Sequence, residues 1–194
     1  MRRSFLAAAA VAAVLGLAGC ASPDPRLYTA AVVPGVPLPG GPAVVRVREV
    51  GLARYLQRPE IVRSSENYRL DVLSNDWWGE PPGAMLTRVL VQALAQRLPG
   101  SAIYGEGGAV SASPDATVEL NIQRMDADAD GNLVLIGQGA VVFEKRRAAP
   151  AVQSFRLTIP PPQPGTAGEV GAISAAMGQV ADALAAALRR APGV

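Results

Sequence analysis

The sole cysteine of this 194-residue chain, Cys20, closes a leader and so decides how the remainder must hold itself together. Upstream stand Arg2 and Arg3, then an uncharged run from Phe5 to Leu17 made of Ala, Val, Leu, Gly and one Phe. A basic head followed by an apolar stretch is the pattern of an export signal, and the run falls short of the ~20 apolar residues that cross a bilayer. With its only thiol at the cleavage point, the exported body has no internal disulfide available, even in a compartment that permits one. Packing alone must stabilise it.

Leu17-Ala18-Gly19-Cys20 resembles the bacterial lipobox, in which the cysteine thiol is acylated and the bond before it is cut. One acyl chain holds a protein to a membrane only marginally, whereas two or three on one residue hold it permanently. Cys20 is therefore expected as the lipid-attachment residue, a tether and not a nucleophile; the bland alternative is an ordinary secretory signal. Arg2-Arg3-Ser4-Phe5-Leu6 also fits a twin-arginine export motif, although a plain basic head is the preferred reading and the export route stays open.

Removing residues 1–19 takes Arg2 and Arg3 away, which brings 18 basic residues to 16 against 16 acidic ones. A neutral exported body offers no electrostatic case for binding nucleic acid, which depends on neutralising phosphates. The basic cluster Lys145-Arg146-Arg147 fits a solvated turn. The chain contains no histidine, which removes Ser-His-Asp and Cys-His catalysis and the commonest metal ligand together. An enzyme is not expected, and neither is a cofactor.

Residues 20–42 carry prolines at 23, 25, 34, 37, 39 and 42 and glycines at 35, 40 and 41, a composition that favours extended, unpaired backbone. They are expected to form a lipidated linker, reaching about 3.1 Å per residue where free, with an edge strand at 26–30. Residues 43–190 are expected to form a single domain, with 191–194 a tail. Within it, Ala43 to Val50 alternates as a strand, and a strand near Ile61 pairs with Tyr68 to Leu73 as a hairpin. Trp77-Trp78 leads into a helix from Gly83 to Leu98, whose apolar residues Leu86, Val89, Leu90, Ala93, Leu94 and Leu98 recur at intervals of three and four. Thr117 to Met125 and Leu133 to Phe143 flank Asp130-Gly131 as a long hairpin, Gln153 to Ile159 adds a strand, and Gly168 to Arg190 is a second amphipathic helix. The fold class expected is α+β: an antiparallel sheet with both amphipathic helices packed on one face, a two-layer sandwich.

Four groups of residues invite a site. Asp126, Asp128, Asp130 and Gly131 match the opening of a calcium loop, but the twelfth position, which should be Glu, is Gly137, and a polar hairpin turn is the preferred reading. Asp71, Asp76 and Glu80 could supply paired carboxylates for glycoside chemistry, although nothing fixes the spacing that chemistry needs, and solvated loop acids are preferred. Trp77 and Trp78 suit either a ring packed over the helix start or an exposed partner anchor. Arg54, Tyr55 and Arg58 suit a contact loop and an ordinary surface loop equally.

Val47-Arg48-Glu49-Val50, Leu52 to Leu56, Ile61-Val62-Arg63, the tryptophan before Glu80-Pro81, and Thr87-Arg88-Val89-Leu90 together resemble the ABC-type transport auxiliary lipoproteins, the PqiC-like family. The order of elements agrees from residue 26 to 190, including Tyr28 and the terminal helix. Ala53 stands where that family commonly has proline, and Gly79 and Pro82 where it has alanine and leucine. The resemblance implies a non-catalytic lipoprotein of the outer membrane, facing the periplasm. It would work with an MCE-type transporter protein in moving lipid between membranes, and some members self-associate as rings. Ala21 behind the lipidated cysteine fits release to the outer membrane. Two other functions share a lipidated leash and a small α+β body: an activator of a cell-wall synthase and a free-standing lipid carrier.

Overall fold

The computed structural model describes residues 24–110, 112–144 and 149–190. The sheet is built around one long strand, β7 (Ala116–Ala127). Along one edge it pairs in full with β8 (Leu133–Phe143), and β8 pairs in turn with β9 (Ala151–Ile159), both antiparallel. Along its other edge lie three short strands in sequence order, β2 (Val44–Val47), β3 (Gly51–Leu52) and β4 (Glu60–Ser64), all parallel to β7. β5 (Asp71–Trp78) forms a bulged antiparallel hairpin with β4, β1 (Arg26–Tyr28) adds in parallel to β5, and β6 (Ala102–Gly105) adds in parallel to β2.

The sheet is therefore mixed, which corrects the expected antiparallel arrangement. The physical reason lies in the first helix, α1 (Pro82–Arg97). Its Thr87 hydroxyl accepts a hydrogen bond from the Val50 backbone N–H at 2.8 Å, just past the end of β2. Beyond its other end, the Ser101 hydroxyl donates to the Pro42 carbonyl at 2.6 Å, just before β2 begins. The helix thus carries the chain back to the start of β2, and β6 then has to run in the same direction as β2. Period and composition report that a segment is a strand; they carry no sign of its direction.

The second helix, α2 (Thr166–Arg189), packs against α1 and against β7, β8 and β9. It is long and apolar enough to cross a membrane by length and composition, yet two thirds of its most apolar 18-residue window is buried in the body, as befits a core helix. Its buried stripe runs Val170, Ile173, Met177, Val180, Leu184 and Leu188, and one apolar cluster joins it to Leu86, Leu90 and Leu94 of α1 and to Val118, Ile122 and Leu135 of the sheet. Gly139 is the price of that fit: a Cβ there would stand 2.9 Å from the Phe155 ring and 3.2 Å from Leu184.

The stretch expected as a free linker has no regular structure between Thr29 and Pro42, as its prolines dictate, but it is fastened across both helices. Ala30 is buried, its N–H directed at the Met85 sulfur, and the Ala31 N–H donates to the Ser174 hydroxyl at 3.1 Å. Leu38 N–H donates to the Arg97 carbonyl at 2.6 Å, and the Arg189 guanidinium donates to the Pro39 carbonyl at 2.7 Å. Unpaired backbone groups found partners on the helices instead of water. Residues 29–42 are accordingly held against the body and not free in solvent.

Candidate partner-contact site

Between β3 and β4 the chain leaves the edge of β7 in a detour. Ala53 N–H still donates to the Ile122 carbonyl at 2.9 Å; then Arg54–Leu56 makes a single 3-10 turn, and the chain rejoins the sheet at Glu60. Leu56 is buried and pins the turn, while Arg54 projects into solvent. Arg58 pairs with Glu60 at 3.0 Å, an arrangement that holds the Glu60 carboxyl below its ordinary range through the hydrogen bond from Arg58.

Tyr55 turns inward, and its hydroxyl donates to Asp126 at 2.7 Å. Burial and that carboxylate push the phenol up to about 12. Asp126 is itself buried and also accepts from Arg124 at 2.9 Å, and Arg124 reaches on to Glu66. Tyr55 is thus a strut that holds the detour to β7, which leaves Arg54 exposed and Arg58 half-buried in its pair with Glu60.

The tryptophan pair lies in β5, not in a loop before the helix, and strand alternation separates the two rings. Trp78 is buried in the apolar core, and its backbone N–H donates to the Pro59 carbonyl at 2.7 Å. Trp77 is part-exposed, with its indole N–H donating to the Ser74 carbonyl at 3.0 Å. In register, Trp77 stands between Glu60 of β4 and Leu27 of β1. Trp78 is thus the packed ring of the pair, and Trp77 is the one that reaches the surface. The detour loop and the end of β5 therefore form one corner, with a shallow recess of about 380 Å³ beside it, lined by Val50, Leu52, Gln57, Pro81, Pro82 and their neighbours.

The carboxylates weighed for glycoside chemistry are each held by a structural partner. Asp71 pairs with Arg63, Glu80 pairs with Arg88, and Asp76 is buried between Arg26 and Thr166, each at 2.6 Å. Burial works against ionisation of Asp76, but the hydrogen bonds from Thr166 and Arg26 outweigh it and hold its carboxyl below the ordinary value. Asp128 caps a hairpin turn, its Oδ1 accepting from the N–H groups of Asp130 and Asn132 at 3.0 and 2.9 Å, with Gly131 at φ +81° completing the bend. Among the described residues no group of three or more His, Cys, Asp or Glu converges as a metal would require. Cys20 and the cluster Lys145-Arg146-Arg147 lie outside the described residues.

Two contributors escaped sequence reasoning. Leu27 is 67% exposed on β1, a position visible only as the middle of an alternating triplet. Arg97, by contrast, is 1% exposed although charged. Its place on the α1 stripe, four residues after Ala93, was the available signal.

The model of the ABC-type transport auxiliary lipoprotein component matches residues 27–185. The chain belongs to that family. An auxiliary lipoprotein of this kind is a component of ABC-type transport, and its family is not a known enzyme family. Two solved structures share the fold. A crystal structure of an uncharacterized protein superposes with a TM-score of 0.71 at 17% identity, covering 85% of this chain and 99% of that one. Protein XCC0632 from Xanthomonas campestris, a DUF330 protein, superposes with a TM-score of 0.67 at 20% identity, covering 84% of this chain and 94% of that one. No curated protein matches the sequence.

Proposed function

We propose that this auxiliary lipoprotein is held to the outer membrane by lipid on Cys20, faces the periplasm, and docks an MCE-type transporter protein for lipid transfer between membranes. It acts by gripping and positioning, without catalysis. The observation that carries this reading is the membership in a transport auxiliary family over 27–185, joined to a lipobox ending at Cys20. The docking surface is the detour corner, where exposed Arg54 and half-buried Arg58 lie on the loop whose Gln57 lines the recess with Val50 and Pro81, while Tyr55 and Trp78 fix the backbone beneath them.

Capture from solubilised membranes with the full lipidated chain tests it. The expected result is recovery of an MCE-type protein, reduced by Arg54→Glu together with Arg58→Glu in a chain whose thermal unfolding is otherwise unchanged. Recovery of a penicillin-binding protein with no MCE-type protein would replace this reading with activation of a cell-wall synthase.

A further inference from the structure

Four peptide steps separate Cys20 from Asp24, the first described residue, and at 3.3–3.6 Å per residue they reach at most about 14 Å. From Arg26 onward the backbone is committed to β1 and then to the helices, so no slack is added downstream. A lipid on Cys20 thus obliges the β1 edge of the sheet to lie close to the bilayer surface.

That edge is built for such a neighbour. Leu27 is 67% exposed, a large apolar side chain with little cover. Trp77 lies beside it in register, on the same face as aligned residues of parallel strands must be, with its indole N–H already bonded to a carbonyl. Tryptophan and leucine with a satisfied polar end suit the boundary between headgroups and acyl chains. Arg26, next in the strand, keeps most of its side chain in solvent even while it pairs with Asp76. Among the described residues the other exposed large apolar side chains are Val36, Tyr68, Leu70, Val110 and Val152; Tyr68 and Leu70 precede the start of β5, the opposite end of that strand from Trp77, and Val36, Val110 and Val152 belong to other segments.

We infer that Leu27 and Trp77 form a second membrane contact, resting in the headgroup layer of the bilayer that holds the lipid of Cys20. The inference rests on the tether proposed above. It fixes the orientation of the body: the row Leu27, Trp77, Glu60 runs from the bilayer surface toward Arg58 and the docking corner.

Because the chain has two tryptophans, Trp78→Phe leaves Trp77 as the only reporter and Trp77→Phe leaves the buried Trp78 as control. The lipidated full chain is reconstituted in phosphatidylethanolamine and phosphatidylglycerol vesicles, with part of the lipid brominated high on the acyl chains. Trp77 emission is expected to fall about twofold, with a blue shift, while Trp78 emission stays nearly constant, and Leu27→Asp should remove most of the Trp77 quenching. The same difference between the unsubstituted chain and Trp77→Phe provides a reading that does not depend on Trp78→Phe folding well. Protein that floats with the vesicles but shows equal quenching at both positions overturns the contact and leaves the tether standing. Protein that does not float overturns the tether, and the contact with it.

Discussion

Arg97 is a charge in the core, and its partners explain why it stays there. Its guanidinium donates to Asp182 at 2.6 Å and to the carbonyls of Val33, Ala93 and Gly178 at 3.3, 3.2 and 3.1 Å, so one side chain ties the fastened N-terminal segment to both helices. Asp182 is 58% exposed and can return to water, whereas the guanidinium itself is 1% exposed and its bonds to the Ala93 and Gly178 carbonyls are buried. Arg97→Ala is therefore expected to cost about 2 to 4 kcal/mol in urea unfolding, and Asp182→Asn less than about 1 kcal/mol. Equal losses would mean that the ion pair, and not the carbonyl contacts, carries the node. Asp76 supplies the pH dependence at this scale. Its folded carboxyl lies below the ordinary 3.8, so the stability it contributes is present above that value and is lost as pH falls through the lowered one. Asp76→Asn should be destabilised relative to the unsubstituted chain near neutral pH, and the gap should close as unfolding is followed down below the ordinary 3.8.

At the scale of elements, the loop that leads into α2 is as constrained as the helix. A Cβ on Gly168 would stand 1.7 Å from the Gln163 carbonyl oxygen and 3.3 Å from Pro161, both in the proline block. Alanine favours a helix interior over glycine by about 1 kcal/mol, yet the backbone of that block would have to move. Gly168→Ala is expected to lower stability by about 1 to 3 kcal/mol, read as the shift in the urea midpoint at constant slope; a gain would mean that the block yields freely. Both helices and the β7–β8 hairpin were legible because their residues meet one buried and one wet face, which writes a period into the sequence. Strand direction was not legible, since period 2 is the same read either way. Nor was the fastening of Thr29 to Pro42, because proline declares which backbone groups lack a ladder partner without naming what they lie against. The candidate corner was half legible. Arg54, Tyr55, Arg58 and the tryptophans stood out by type, but which of them face outward depends on a register that pairs Glu60 with Trp77 and Tyr55 with Asp126.

For the whole molecule, the length of free chain between lipid and body decides what the lipoprotein can do. A long leash would let the body search for a transporter over a wide shell of periplasm. Under the tether proposed above, at most about 14 Å of chain separates the lipid from Asp24, which bounds the height of the β1 edge above the bilayer and, with the Leu27 and Trp77 contact, narrows the orientations of the body. Binding then costs less rotational freedom, because anchoring has already removed part of it. Inserting about 20 Gly and Ser residues after Ser22 should leave the fold untouched, since every contact from Arg26 onward is retained, while adding roughly 25 Å of root-mean-square reach. The expected outcome is a lipidated protein that still floats with vesicles and unfolds at the same urea midpoint, but whose Trp77 emission is no longer quenched by brominated lipid. Capture of the transporter from intact membranes should weaken as well, while capture from detergent solution stays the same. Quenching that survives the insertion would mean that Leu27 and Trp77 hold the membrane on their own affinity, with the short tether supplying only the address.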